Sequence, residues 1–86
     1  MEFELYVIYD AAKNIYSSPM AQYNDADAMR AFAHECMKAD SIWNSHPQDF
    51  VMYKVGLYNE TTGEINAFSK PERVCAATDF VKKGRK

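Results

Sequence analysis

Phe50-Val51-Met52-Tyr53-Lys54-Val55-Gly56-Leu57-Tyr58 is followed by Asn59-Glu60-Thr61-Thr62-Gly63-Glu64 and then by Ile65-Asn66-Ala67-Phe68. The first run is rich in β-branched and aromatic residues and reads as a strand. The second is a turn in which Gly63 is free to take a positive φ. The third returns as a partner strand, making a β-hairpin. Strict alternation puts Val51, Tyr53, Val55 and Leu57 on one face and Phe50, Met52, Lys54, Gly56 and Tyr58 on the other.

Toward the N-terminus, Phe3-Glu4-Leu5-Tyr6-Val7-Ile8-Tyr9 reads as a second strong strand, with Phe3, Leu5, Val7 and Tyr9 on one face. Residues 10–14 supply a turn, and Ile15-Tyr16-Ser17-Ser18 a short return strand that Pro19 ends. Between the hairpins lies the clearest helix. Asn24 is its N-cap, Asp25 and Asp27 suit the positive end of the dipole, and Met29, Phe32, Ala33, Cys36 and Met37 form an apolar stripe. The helix is expected to stop near Ala39, with Trp43 tucked under a loop of residues 40–47. Beyond the second hairpin, Ser69-Lys70-Pro71-Glu72 reads as a capping box with proline in the first turn. Val74, Ala77, Thr78 and Val81 then form the inner stripe of a short C-terminal helix.

This ββαββα order predicts an α+β fold: a four-stranded, mainly antiparallel sheet built from two β-hairpins, with one main helix and the short C-terminal helix on one face. The faces Phe3/Leu5/Val7/Tyr9 and Val51/Tyr53/Val55/Leu57 are expected to meet the helical stripe. That leaves Tyr6, Ile8, Phe50, Met52 and Tyr58 on the opposite face, which is too apolar to sit bare in water.

With 86 residues, 48% of them apolar and 26% charged, the chain is one small globular domain, read as residues 1–81, with a basic tail at 82–86. No apolar run approaches the ~18–20 residues of a membrane span. The acidic start Met1-Glu2-Phe3-Glu4 lacks the basic region of a secretory signal. The net charge of −2 conceals an asymmetry. Lys82, Lys83, Arg85 and Lys86 are four of the ten basic residues, so residues 1–81 carry six basic and twelve acidic side chains, a net of −6. Such a body argues against a duplex-binding domain held by phosphate neutralisation, while the tail could still meet phosphates. Cys36 and Cys75 form no CxxC and have no histidine at ligand spacing, so free thiols in a reducing compartment are expected, with no metal and no disulfide.

Catalytic chemistry finds no support in the residues. His34 lies on the polar side of the helix, His46 in a Ser-His-Pro loop, and no phosphate-binding, dinucleotide, zinc or calcium motif occurs. A non-enzymatic protein without a cofactor is expected. What remains is aromatic: six tyrosines, five phenylalanines and one tryptophan. Aromatic side chains on an open sheet beside Lys or Arg can stack unpaired bases. Tyr6, Lys54 and Tyr58, with Lys82, Lys83, Arg85 and Lys86, are the candidate platform for single-stranded nucleic acid. The alternative is a homodimer or partner interface of Tyr6, Ile8, Phe50, Met52 and Tyr58. From the residues alone the interface is favoured, because Glu2, Glu4 and Asp10 crowd the first strand and would repel phosphates.

Phe3-x-Leu5-Tyr6-x-Ile8-Tyr9-Asp10, Tyr16-x-x-Pro19 and Asn24-Asp25-x-x-Ala28-x-Arg30-x-Phe32 form a wider pattern. It continues as His46-Pro47-x-Asp49-Phe50-x-x-Tyr53-x-Val55-Gly56-x-Tyr58-Asn59 and Gly63. Over roughly residues 3–81 this resembles the nonstructural proteins of gokushovirus-type microviruses, small single-stranded DNA phages. Asn59 stands where an aspartate is often found in that family. The resemblance implies a protein absent from the virion that acts in the host cytoplasm during genome replication, supporting single-stranded DNA synthesis or packaging. Single-stranded DNA and phage or host replication proteins are the partners it implies. It carries no catalytic motif across, and a homo-oligomer without membrane attachment is expected. The competing expectation is an adaptor that binds a phage or host protein and never touches DNA.

Overall fold

Both hairpins turn on the same local chemistry. The Asp10 carboxylate accepts from the N–H groups of Ala12 and Lys13 at 3.0 and 3.2 Å. The Asn14 N–H closes onto the Asp10 carbonyl at 2.7 Å, and Asn14 takes a left-handed φ of 61°. The second turn repeats each step. The Asn59 amide oxygen accepts from Thr61 and Thr62 at 2.9 and 3.1 Å, and Gly63, at φ 79°, donates to the Asn59 carbonyl at 2.7 Å. An Asx side chain at the first position and a residue tolerant of positive φ at the fifth are what each turn asks of the sequence.

The computed structural model describes residues 2–81. In chain order it contains β1 (Glu2–Asp10), β2 (Ile15–Tyr16), β3 (Met20–Gln22), α1 (Asp25–Cys36), α2 (Ile42–Ser45), a 3-10 turn at Pro47–Asp49, β4 (Phe50–Asn59), β5 (Ile65–Ala76) and a 3-10 turn at Ala77–Asp79. All strand pairs are antiparallel, in the order β2-β1-β4-β5, with β3 also pairing β1. The fold is therefore the expected α+β sheet of two hairpins. The return strand of the first hairpin is split by Pro19, which has no N–H to give the ladder. Ser17 bridges the gap: its hydroxyl accepts from the Ile8 N–H at 2.9 Å, and its N–H donates to the Ile8 carbonyl at 2.8 Å.

A bulge sets which residues share a face. Leu5 pairs Gly56 and Tyr6 pairs Lys54, so Val55 is an extra residue on β4. On the other side of β4, Gly56 pairs Ala67 and Lys54 pairs Glu72, so residues 68–71 bow out of the ladder opposite Val55. The extra residue breaks the strict alternation. Leu57 moves to the face of Glu4 and Tyr6, and Tyr58 moves to the face of Phe3.

The helices cover the face opposite to the expected one. The core joins Tyr6, Ile8, Phe50, Met52 and Cys75 of the sheet to Ala28, Phe32 and Cys36 of α1. Both faces are apolar, so period-2 patterning does not rank them. The helix takes the face on which Ile8, Phe50 and Met52 have no group that needs water, and on which the polar ends of Tyr6 and Lys54 find partners in Glu4 and Asp25. Asn24 caps α1 as expected, its side chain accepting from the Asp27 N–H at 2.8 Å. The helix ends at Cys36 and not Ala39, which leaves Met37 outside the stripe and 65% exposed. Trp43 sits on the short helix α2, half-buried and packed on Phe32 and Phe50 at centroid distances of 4.9 and 6.2 Å.

The C-terminal helix expected from Pro71 does not form. Residues 72–76 continue β5 and pair Lys54, Tyr53, Met52 and Val51. Only the 3-10 turn at Ala77–Asp79 follows, with the Asp79 carboxylate accepting from the Ala76 N–H at 2.9 Å. A helix of two or three turns is marginal alone, and the inner half of β4 needs a ladder partner for its backbone, so pairing overrides the capping pattern.

Candidate functional site

The two faces of the sheet carry different chemistry. On the helix side, Tyr6 is buried and its hydroxyl lies 2.5 Å from Asp25 Oδ1 and 2.7 Å from Glu4 Oε1. Lys54 Nζ meets the same two oxygens at 2.9 and 3.0 Å. Two donors thus bridge two acceptors in a closed diamond, which ties β1, β4 and the first residue of α1 together. Burial, with the hydrogen bonds to Asp25 and Glu4, pushes the Tyr6 phenol far up, so it stays protonated and donating. The Tyr6 hydrogen bond, followed by the one from Lys54, holds the Asp25 carboxyl below its ordinary value. Hydrogen bonding to Asp25 and then Glu4 raises Lys54, against the pull of desolvation.

This geometry removes Tyr6 and Lys54 from the expected platform. Tyr6 has no exposed surface with which to stack a base. The Lys54 ammonium is spent on two carboxylates, 5.9 Å above the Tyr6 ring. Tyr6, Ile8, Phe50 and Met52 are also unavailable as a partner interface, because α1, Trp43 and Phe80 of the same chain cover them. Tyr58 lies across the sheet from that group, paired with Phe3. Lys82, Lys83, Arg85 and Lys86 lie outside the described residues.

The uncovered face carries the aromatic surface. Tyr9, Tyr16 and Tyr53 form one cluster, with centroid separations of 4.7 Å for Tyr9–Tyr16, 6.4 Å for Tyr9–Tyr53 and 6.1 Å for Tyr16–Tyr53. Phe3 and Tyr23 form another at 4.9 Å. The Tyr9 hydroxyl donates to the Asn14 amide oxygen, tying the first cluster to the turn. Leu5 and Val7 lie between the clusters, and Arg73, paired with Tyr53, brings a cation to the face.

Charge divides in the same way. Glu2, Glu4 and Asp10 fall at the same parity as Tyr6 and Ile8 on β1, and Glu72 pairs Lys54, so the four carboxylates of the strands all take the helix side. The acidic residues that seemed to guard the first strand therefore do not face the aromatic surface. Strict alternation already pointed to this separation, since Phe3, Leu5, Val7 and Tyr9 alternate with Glu2, Glu4 and Asp10. The bulge at Val55, which brings Tyr58 to the aromatic side, left no comparable signal.

The other reactive groups have local structural surroundings. Cys36 and Cys75 are buried free thiols, each pushed up to about 11 chiefly by burial, so both are protonated and poorly nucleophilic. His46 Nδ1 lies 2.9 Å from the Ser45 hydroxyl, and His34 is exposed on α1. No grouping of three or more His, Cys, Asp or Glu suited to a metal occurs among the described residues, and no described helix is long and apolar enough to cross a membrane.

A small antiparallel sheet with helices on one face and an aromatic surface free of strand carboxylates on the other defines a two-layer α+β domain. By sequence the chain belongs to the family described as phage ORF5 protein, whose family model matches residues 3–80. It is a small phage protein. Comparisons with curated proteins and with solved structures give no match.

Proposed function

We propose that this phage protein is a non-enzymatic, nonstructural protein of microvirus type that acts in viral genome replication in the host cytoplasm. It holds single-stranded DNA against its uncovered sheet face during single-strand synthesis or packaging. Membership of the phage family supports the setting. The observation that carries the reading is the segregation of the strands: aromatic rings and Arg73 on one side, Glu2, Glu4, Asp10 and Glu72 on the other. Exposed rings on a sheet accept unpaired bases, and a face without carboxylates does not repel the phosphates between them. In this reading Lys82, Lys83, Arg85 and Lys86 add attraction for phosphate.

Fluorescence anisotropy of labelled single-stranded DNA over a salt series tests the proposal, comparing the full chain with one ending at Val81. Binding that weakens with salt, and weakens further with a shallower salt slope on truncation, is the expected result. No binding at low salt would overturn it.

A homodimeric adaptor for a phage or host protein is the second reading. The net charge of −6 over residues 1–81 and the half-exposed Phe3, Leu5 and Val51 favour it. Sedimentation showing a tight dimer in which Tyr16 and Tyr23 are protected from solvent would select it over DNA contact.

A further inference from the structure

Tyr16 and Tyr23 are the most exposed aromatic side chains of the described residues, at 51% and 56%. Each rests on a second ring: Tyr16 on Tyr9 at 4.7 Å, Tyr23 on Phe3 at 4.9 Å. A ring backed in this way loses little freedom when a base stacks on its open side, so both are preorganised contacts. They stand at opposite ends of the uncovered face. Tyr16 pairs Tyr9, while Tyr23 follows Gln22, the partner of Glu4, and so falls beside Phe3. Six steps of β1 separate Phe3 from Tyr9, about 20 Å at ~3.3 Å per residue.

We infer that the face grips one single strand of nucleic acid at two separated points, Tyr16 at one end and Tyr23 at the other, with Arg73 on the same face beside Tyr53. The inference rests on the single-strand reading above and adds a footprint to it. At the ~3.4 Å spacing of a stacked strand, 20 Å is about six nucleotides, and fewer when the strand is extended. A mononucleotide or dinucleotide reaches one ring and not both. Charge complementarity favours nucleic acid as the occupant, because the four strand carboxylates lie on the helix side and Arg73 remains on the aromatic side. The same charge pattern favours single strands over duplex. A duplex keeps its bases stacked inside and is held by many phosphate contacts, whereas Arg73 is the one cation that strand pairing places on this face among the described residues.

The test is the affinity of labelled dT oligomers of two, four, six, eight and twelve nucleotides for the full-length protein, its Tyr16→Ala and Tyr23→Ala variants, and the matching Phe variants. Affinity is expected to rise steeply up to about six nucleotides and then flatten. Each Ala variant weakens the eight-mer about tenfold, in line with the loss of one stacked base. Each leaves the two-mer within about twofold, since the other ring remains, and each Phe variant restores the eight-mer. Both side chains are exposed, and an unchanged Tm shows that the variants fold. If oligomers bind but neither Ala variant moves the eight-mer, or the length dependence has no break, the two-point grip is wrong while the single-strand reading stands. If no oligomer binds at low salt, the single-strand reading falls and this inference with it. A dimer that dissociates in the Ala variants assigns the two tyrosines to a second copy of the chain and overturns the inference.

Discussion

Gly56 shows how much one side chain can cost this sheet. A Cβ placed there would lie 2.6 Å from the Asn66 carbonyl oxygen and 3.1 Å from the Ala67 Cα, both backbone atoms of β5. The constraint is close approach, so Gly56→Ala forces the β4–β5 ladder apart. A loss of about 1–3 kcal/mol is expected, read as a lower urea midpoint with unchanged slope. A change under about 0.5 kcal/mol would refute it. The Tyr6–Glu4–Asp25–Lys54 diamond predicts a pH profile. Asp25 has a lowered value in the fold, so its stabilisation is present above its ordinary 3.8 and lost as pH falls through the lower folded value. Lys54 has a raised value, so its contribution is present below its ordinary 10.5 and lost as pH rises through the higher folded value. Tm is therefore expected to be flat near neutrality and to fall at both extremes. Lys54→Met lowers Tm at pH 7 and flattens the acid limb, and an acid limb identical to the parent's would contradict the pairing. The sequence made the Asn24 cap and both turns legible, since their signals are local. It did not reveal the diamond, because Glu4, Asp25 and Lys54 meet only through the register.

At the scale of elements, the split return strand depends on Ser17. Its hydroxyl is the acceptor for the N–H of Ile8, a residue 3% exposed, so Ser17→Ala leaves a buried donor unpaired. A cost of about 1–3 kcal/mol is expected, together with faster hydrogen exchange at the Ile8 amide. Unchanged exchange at that amide would show that another acceptor serves it. Element types were readable wherever the pattern was long: β1, β4 and α1 fall close to their expected ranges. Two features were not. Ser69-Lys70-Pro71-Glu72 fits a helix start by local chemistry, yet the ladder need of Val51–Lys54 holds residues 72–76 in β5. The inner face of the sheet was inverted because alternation marks two faces without saying which one the helix takes.

For the whole molecule, a single core joins the sheet to α1, and the surface that it leaves open is the aromatic one. Cys36 and Cys75 report the integrity of that core. Both thiols are buried and raised to about 11, so a thiol reagent at pH 8 is expected to label neither in the folded protein and both after unfolding. Rapid labelling of the native chain would mean that the core opens locally. In the proposed function the uncovered face takes the DNA, and the helix side holds the fold together. Amide and aromatic NMR shifts recorded while dT8 is added distinguish the two sides. Perturbations are expected at Phe3, Tyr9, Tyr16, Tyr23, Tyr53 and Arg73, with α1 and the Tyr6–Lys54 diamond unmoved. Shifts centred on α1, Trp43 or Lys54 would contradict the proposal and place the binding surface on the opposite side of the sheet.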